Sequence, residues 1–432
     1  MEAVKQKLDD TVKKGRQNGA SGVKIWYSSG ITRGCNFKNG TLKEIESNNT
    51  TSMSVTVIKN GRQGTSTVNS TDDLDLGLEK AFDIARFGKK VYFEEYPKHE
   101  KYASVKTYSA DAVIELDDLV NENRKFPAAM SELDPDLNVT NSGHTNTSDQ
   151  IIALSNGLQR SFRTTYWDFS GSGQSSSEGD VYYIDDFTGS RTGEDGVSFD
   201  PVIEGCKRTY ELGKTVSRIT DGKYPVLLDP SCIWGFGMIL ERGVNGKQVY
   251  EGSSPLKDKL GKQVFHKNIT VIDNPLIDFD LWASIMDADG IPTKAVPVME
   301  NGVLKMFAYD LNTASLCKTE PTGHSGCSLN RPILMPGKKS SSDIIKSIKK
   351  GIYVLRVLGF GQGNIINGDF SANVATGFLI ENGEIKGRIK NTMIAGNMYK
   401  IAKRHTEISS DTDRVYRQPY LLLDGVQVSA KS

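Results

Sequence analysis

Metal-hydrolase chemistry needs His, Cys or carboxylate ligands at fixed spacing, with a glutamate beside them to activate water. The chain has five histidines, at 99, 144, 266, 324 and 405, and no two stand at the spacing of a helical ligand pair. His99-Glu100 has no second histidine after it and reads as a solvated pair in a connecting stretch. His324-Ser-Gly-Cys327 is a two-ligand fragment with no second pair to complete a tetrahedron, so a turn with a buried thiol is expected there. Asp287-Ala-Asp289-Gly290 looks like part of a calcium loop but lacks the later acidic positions, which leaves an acidic turn. Ser170-Gly-Ser172-Gly-Gln174 has the small residues of a nucleophile elbow without its strand-to-helix frame, and reads as a loop. A hydrophobic run, Ile352–Leu358, leads into Gly359-Phe-Gly361-Gln-Gly363 as if into a phosphate-binding loop. A dinucleotide site needs a helix next. Asn367-Gly368 and Asn382-Gly383 follow instead, so the stretch from Gly359 to Asn397 is expected to be a glycine-rich β-meander. The apolar helix expected at 231–243, with Trp234, Phe236, Met238 and Ile239, reads as core.

The elements that would position these residues are set by turn signals. Asn-Gly, the strongest short hairpin signal, occurs eight times, at 18, 39, 60, 156, 245, 301, 367 and 382. Val4, Leu8 and Val12 make one stripe of an opening helix. Five strands are expected next: Val23–Ser28, Ile31–Lys38, Thr41–Ser47, Met53–Lys59 and Arg62–Val68. A helix over Asp72–Phe87 follows, with Leu74, Leu78, Ala81 and Ala85 inward and Gly88 as its stop. Lys89–Ser109 reads as a connection, Ala110–Asn123 as helix, 137–187 as strands, and Asp200-Pro201 as a helix start. The order is not a strict βαβ alternation. It predicts an α+β protein: an N-terminal helix and antiparallel-sheet domain over 1–220, with a sub-boundary near 89–109, then a β-rich domain over 221–432.

Composition narrows the function. Lys+Arg and Asp+Glu are both 53, giving zero formal net charge, so direct nucleic-acid binding is not expected. The first residues, MEAVKQKLDDTVKK, lack the apolar core of a signal peptide, and no run approaches the length of a membrane span. Five scattered cysteines (35, 206, 232, 317 and 327) fit reduced thiols in a cytoplasmic protein.

Gly361-Gln-Gly363, Gly368-Asp-Phe-Ser371, Ala375-Thr-Gly377-Phe378, Ile380-Glu-Asn-Gly-Glu-Ile385 and Ile394-Ala-Gly-Asn397 together resemble the C-terminal signature of the TldD/PmbA family, whose members are often labelled modulators of DNA gyrase. Further matches are Val249-Tyr250, Leu260-Gly-Lys-Gln263, Thr322-Gly-His324, Asn48-Asn49, Gly61-Arg-Gln-Gly64-Thr-Ser66 and Ala81–Arg86, so the likeness spans nearly the whole chain. It implies a family with two branches. The TldD branch is a zinc peptidase with a His-Glu-x-x-x-His motif and a C-terminal cysteine ligand; the PmbA/TldE branch lacks the motif and pairs with the first. In this chain the corresponding stretch reads Tyr250-Glu251-Gly-Ser-Ser-Pro255: Tyr250 and Pro255 replace the two histidines, and Glu251 alone matches, as a vestige of the catalytic glutamate. Cys327 is the last cysteine. The resemblance therefore implies a non-metal subunit of a cytoplasmic peptidase acting on unfolded or extended peptides, with no cofactor of its own. Zinc would sit on a TldD-like paralogue in a heterodimer, or the chain would form a homodimer. The alternatives are a peptidase with an atypical site at His324 and Cys327, or a binding protein such as a gyrase modulator.

Overall fold

The computed structural model describes residues 1–177 and 180–430. Helix α1 (Glu2–Gln17) leads into three antiparallel strands, β1 (Gly22–Lys38), β2 (Thr41–Lys59) and β3 (Arg62–Val68), and then α2 (Leu74–Ala85). After the two-residue β4 (Lys89–Lys90) the pattern recurs: α3 (Leu116–Leu133), β5 (Asn138–Leu154), β6 (Gln159–Ser177), β7 (Asp180–Ser190) and α4 (Asp200–Gly213). The seven strands form one sheet in the order β4-β3-β2-β1-β5-β6-β7, so two helix–three strands–helix units join where β1 pairs with β5.

Alternation decides the faces. Val23, Ile25 and Tyr27 of β1 meet Leu8, Val12, Leu74, Leu78, Ala81 and Ala85 of α1 and α2 as expected, and Cys35 and Phe37, on the same face, meet Leu119 and Phe126 of α3. The other face is polar along much of its length, with Ser28, Thr32, Asn146 and Ser148.

The five expected strands are three, because the presumed breaks lie opposite one another. Gly30 pairs with Thr50, Ile31 with Asn49 and Thr32 with Asn48, while β5 continues the ladder on the far side. Strands of 17 and 19 residues result. Ser170–Gln174 is likewise mid-strand, not a loop: Ser170 and Ser142 share a hydrogen bond of 2.8 Å, and Gly171 leaves room for the Phe126 ring. Helix α3 runs ten residues past Asn123, through Pro127. Proline cannot donate to the carbonyl four residues back; the Asn141 side chain donates to Asn123 O instead, at 2.9 Å. Residues 89–109 are a packed strap. Val91 and Tyr96 are buried with Ile58 and Ile152 on the sheet's second face, and Tyr102 donates to Gly290 O at 2.8 Å.

After β8 (Val216–Ser217), the second half contains β9 (Gly222–Leu228), α5 (Ile233–Val244), α6 (Gly246–Glu251), β10 (Val271–Asp273), β11 (Val296–Glu300), β12 (Val303–Leu304), α7 (Leu311–Cys317), β13 (Pro332–Leu334), α8 (Ser341–Ser347), β14 (Lys350–Leu358), β15 (Asp369–Glu381), β16 (Glu384–Ile389), β17 (Thr392–Asn397), α9 (Met398–Ile401), β18 (Thr406–Thr412) and β19 (Pro419–Ala430). β14 pairs with both β9 and β15, which closes β14-β9-β19-β17-β15 into a ring. One side packs on α5 through Val226, Leu228, Ile352, Val354 and Leu421; the other holds Ile344 and Ile348. Four Asn-Gly pairs (39, 60, 301 and 382) have positive φ at both residues and turn hairpins. Asn245 instead caps α6, accepting from Lys247 N and Gln248 N.

Candidate functional site

Helix α5 starts where the Asp229 carboxylate accepts the Ser231 N–H at 3.0 Å, with Pro230 in the turn. Ile233, Phe236, Ile239 and Leu240 then face the core. Trp234, Met238 and Glu241 fall at i, i+4 and i+7, on the opposite face, and Trp234 is 51% exposed. That face is one wall of an open groove of about 410 Å³; Trp282, Asn330, Arg331, Tyr416 and Gln418 form the other, over Val271 and Leu334.

The Gly359–Asn397 signature holds this helix in place. Phe360 stacks on Phe370 with centroids 4.9 Å apart and meets Trp234 edge-on at 5.8 Å. A Cβ on Gly235 would lie 2.8 Å from the Phe360 ring, so only glycine admits that approach. The groove's far wall is fixed by charge. Arg331 Nε donates to Asp280 at 3.0 Å, Nη2 donates to Tyr416 O at 2.9 Å, and the guanidinium lies 4.3 Å over the Trp282 ring. Burial raises the Glu241 carboxyl above its ordinary value.

Past Pro230, Ser231 and Tyr416 the groove opens into a charged pocket. There Arg356 donates to Asp185 and to Ser231 Oγ, both at 2.8 Å, and Tyr353 donates to Asp229 at 2.6 Å. Burial pushes Asp186 up to about 6. The Arg356–Asp185 bond ties β7 to the second half of the chain.

The positions singled out from sequence lie elsewhere. Tyr250 and Glu251 end a two-turn helix, Gly252 reverses the chain at φ 76°, and Pro255 is exposed beyond it. Tyr250 is 54% exposed and Glu251 pairs with Lys247 at 3.8 Å, so the three share no helix face and line no cavity described above. His324 is 1% exposed: Nε2 donates to Asp273 at 3.0 Å and Nδ1 meets Thr322 Oγ1 at 2.8 Å. Cys327 Sγ accepts the Asp310 N–H at 3.4 Å, so the two residues serve separate hydrogen-bond sets. In the acidic turn, the Asp287 carboxylate accepts from Asp289 N and Ile291 N, while Lys24 neutralises Asp289 at 2.6 Å. His99 is half-buried rather than solvated. All five cysteines are free thiols, four of them buried.

The groove is hard to read from the sequence because the first two turns of α5 are apolar on both faces, and a charge enters its outer face only at Glu241. The spacing of Trp234, Met238 and Glu241 is the signal that was available.

Sequence profiles of the PmbA/TldA metallopeptidase family match residues 221–430 (its C-terminal domain) and 25–87 (its domain 1), together more than half of the chain. The Escherichia coli metalloprotease PmbA is 24% identical over 95% of this chain and 91% of its own, and a Methanocaldococcus jannaschii metalloprotease is 24% identical over 87% and 86%. Two others, an uncharacterised M. jannaschii protein and a Buchnera aphidicola PmbA homolog, align over only 46% and 42% of their own lengths. TldE of Thermococcus kodakarensis superposes with a TM-score of 0.88 at 22% identity, covering 98% of this chain and all of that one. A Thermotoga maritima protein described as a modulator of a DNA gyrase gives 0.88 at 23%, over 98% and 99%. The fold and these matches define a PmbA/TldD-type α+β protein. The chain belongs to the PmbA/TldD family.

Zinc, the metal the family implies, does not fit the groove's donor set. Among the described residues lining it, Glu241 is the one carboxylate, no His or Cys is present, and Arg331 adds a fixed positive charge. No group of three His, Cys, Asp or Glu side chains able to hold a metal occurs among the described residues. Nor is any described helix long and apolar enough to cross a membrane.

Proposed function

We propose that this chain is the TldE/PmbA-like subunit of a cytoplasmic TldD/PmbA-type peptidase assembly, working on unfolded or extended peptides beside a TldD-like paralogue that holds the zinc. The observation that carries the reading is the α5 groove. Trp234, Met238, Trp282 and Tyr416 offer apolar and aromatic contact, while Glu241, Arg331, Asn330 and Gln418 offer polar contacts, a mixture suited to a peptide and not to a metal-bound water. In this reading the groove guides peptide towards the partner's metal, and no step of the hydrolysis is done by this chain.

The test is to mix the purified chain with a paralogue carrying an intact His-Glu-x-x-x-His motif. A stable complex should form, and cleavage of an unstructured peptide should rise over the paralogue alone. Trp282→Ala should raise KM several-fold while the complex still forms. If no complex forms, or if the groove variant cleaves like the wild type, the reading fails.

A further inference from the structure

Two charged side chains line the α5 groove, Arg331 and Glu241, and only the first has its counter-charge in place. Arg331 lies against Asp280 at 3.0 Å, Arg417 shares that carboxylate at 3.3 Å, and Asp273 also acts on Arg331. Two arginines and two carboxylates leave the far wall without net charge.

Glu241 is different. It takes part in no ion pair among the described residues; its hydrogen-bonding neighbour is the neutral Ser328, and the cation that acts on it is Arg242, the next residue along α5. The residue is half-buried, and neither of its carboxylate oxygens is sealed without a partner, unlike Asp287 Oδ2. With Ser328 as the one neighbour, at least one oxygen is open on the face that lines the groove. Trp234 and Met238 on its own wall and Trp282 opposite surround it with apolar surface, and the two indoles are 51% and 47% exposed. The far wall adds an acceptor: Asn330 gives its amide N–H to Asp273 and to Gly323 O, which leaves its Oδ1 free. The charged pocket into which the groove opens is lined by five aspartates and three arginines, an excess of negative charge.

A partly desolvated carboxylate without a counter-ion is costly, and a cation that arrives on an apolar stem would neutralise it while covering the surface around it. Lysine and arginine are built that way, and both gain further attraction over an indole face. We infer that the groove selects extended peptides carrying a lysine or arginine side chain, with Glu241 as the specificity-determining residue and Asn330 Oδ1 as a second acceptor. This rests on the peptide reading above and adds which side chain is recognised.

Isothermal titration of the full chain with an apolar hexapeptide carrying lysine, norleucine or glutamate at its third position tests the assignment. Norleucine keeps the stem of lysine and removes the charge. The lysine peptide should bind about tenfold tighter than the norleucine one, as expected for a charge-assisted hydrogen bond, and the glutamate peptide should bind most weakly. Glu241→Gln should abolish the difference between lysine and norleucine, Glu241→Asp should keep part of it, and added salt should shrink it. The lysine-versus-norleucine comparison needs no variant, so misfolding of Glu241→Gln would not remove the test. Equal binding of the two peptides, with both weakened by Trp282→Ala, would overturn the charge selection and leave the peptide reading standing. A lysine preference that survives Glu241→Gln would place the selection elsewhere and overturn the role of Glu241. Absence of binding by all three peptides would overturn both readings.

Discussion

Replacing His324 separates its two readings, metal ligand and structural post. Asp273 is 0% exposed and accepts four hydrogen bonds: from His324 Nε2 (3.0 Å), Asn330 N (3.2 Å), Asn330 Nδ2 (3.3 Å) and Arg331 N (2.5 Å). Together they pin the 323–331 turn to β10, and that turn carries Arg331 to the groove. His324→Ala removes one charge-assisted bond to the carboxylate, about 1.5–3 kcal/mol, and leaves an imidazole-sized void. The void adds to that cost, because a rigid turn only partly collapses around it. Because Asp273 keeps three donors, we expect about 3 kcal/mol. Urea unfolding would report it as a lower midpoint, and amide exchange should accelerate in 271–273 and 322–331 before elsewhere. His324→Gln, whose amide can still donate to Asp273, should recover about half. Bound zinc should be the same in wild type and variant. Stability within about 0.5 kcal/mol of wild type, together with stoichiometric metal lost on substitution, would refute the structural reading.

Three further outcomes are expected. Asn141→Ala should destabilise by about 1–3 kcal/mol by leaving the Asn123 carbonyl unpaired, and by less in a Pro127→Ala background, where an N–H returns to that carbonyl; chemical denaturation measures both. Asp287 is 4% exposed and pushed up to about 6 by burial and by Asp289, with Oδ2 unpartnered. Its folded pKa exceeds the unfolded one, so stability should fall as pH rises from about 4 to 6. Asp287→Asn should flatten that slope and gain up to about 3 kcal/mol at pH 7; a steeper slope in the variant would contradict the assignment. His144 is raised, first by its hydrogen bond to Asp168 (3.2 Å) and further by Asp168 and Glu46 charge, against burial. Its contribution is present below the unfolded pKa of about 6.5 and is lost as pH rises through the folded value. Asp168→Asn should therefore lower the His144 midpoint by NMR and destabilise more at pH 5.5 than at pH 8.

The sequence made the frame legible where patterns are local. Leu74, Leu78, Ala81 and Ala85 predicted the buried face of α2, and the glycine-asparagine block gave the sheet segment and the family. What failed depended on partners distant in sequence. Ser29-Gly30 and Asn48–Thr50 each look like breaks, but paired with one another they are strand. Pro127 looks like a stop until Asn141 supplies the missing hydrogen bond. The groove needed three separate stretches, 234–241, 282 and 330–331, and none of them carries a motif alone. Tyr250 and Pro255, which stand where the resemblance places the two histidines, lie exposed at and beyond the end of α6, away from the groove.

As proposed, this chain would serve a peptidase without holding its metal. The most direct measurement is zinc content and cleavage of an unstructured peptide by the lone chain, incubated with zinc and desalted, beside the same assay with the TldD-like paralogue present. Substoichiometric zinc and no turnover are expected of the lone chain, with turnover appearing in the mixture. One zinc per chain together with proteolysis by the lone chain would contradict it.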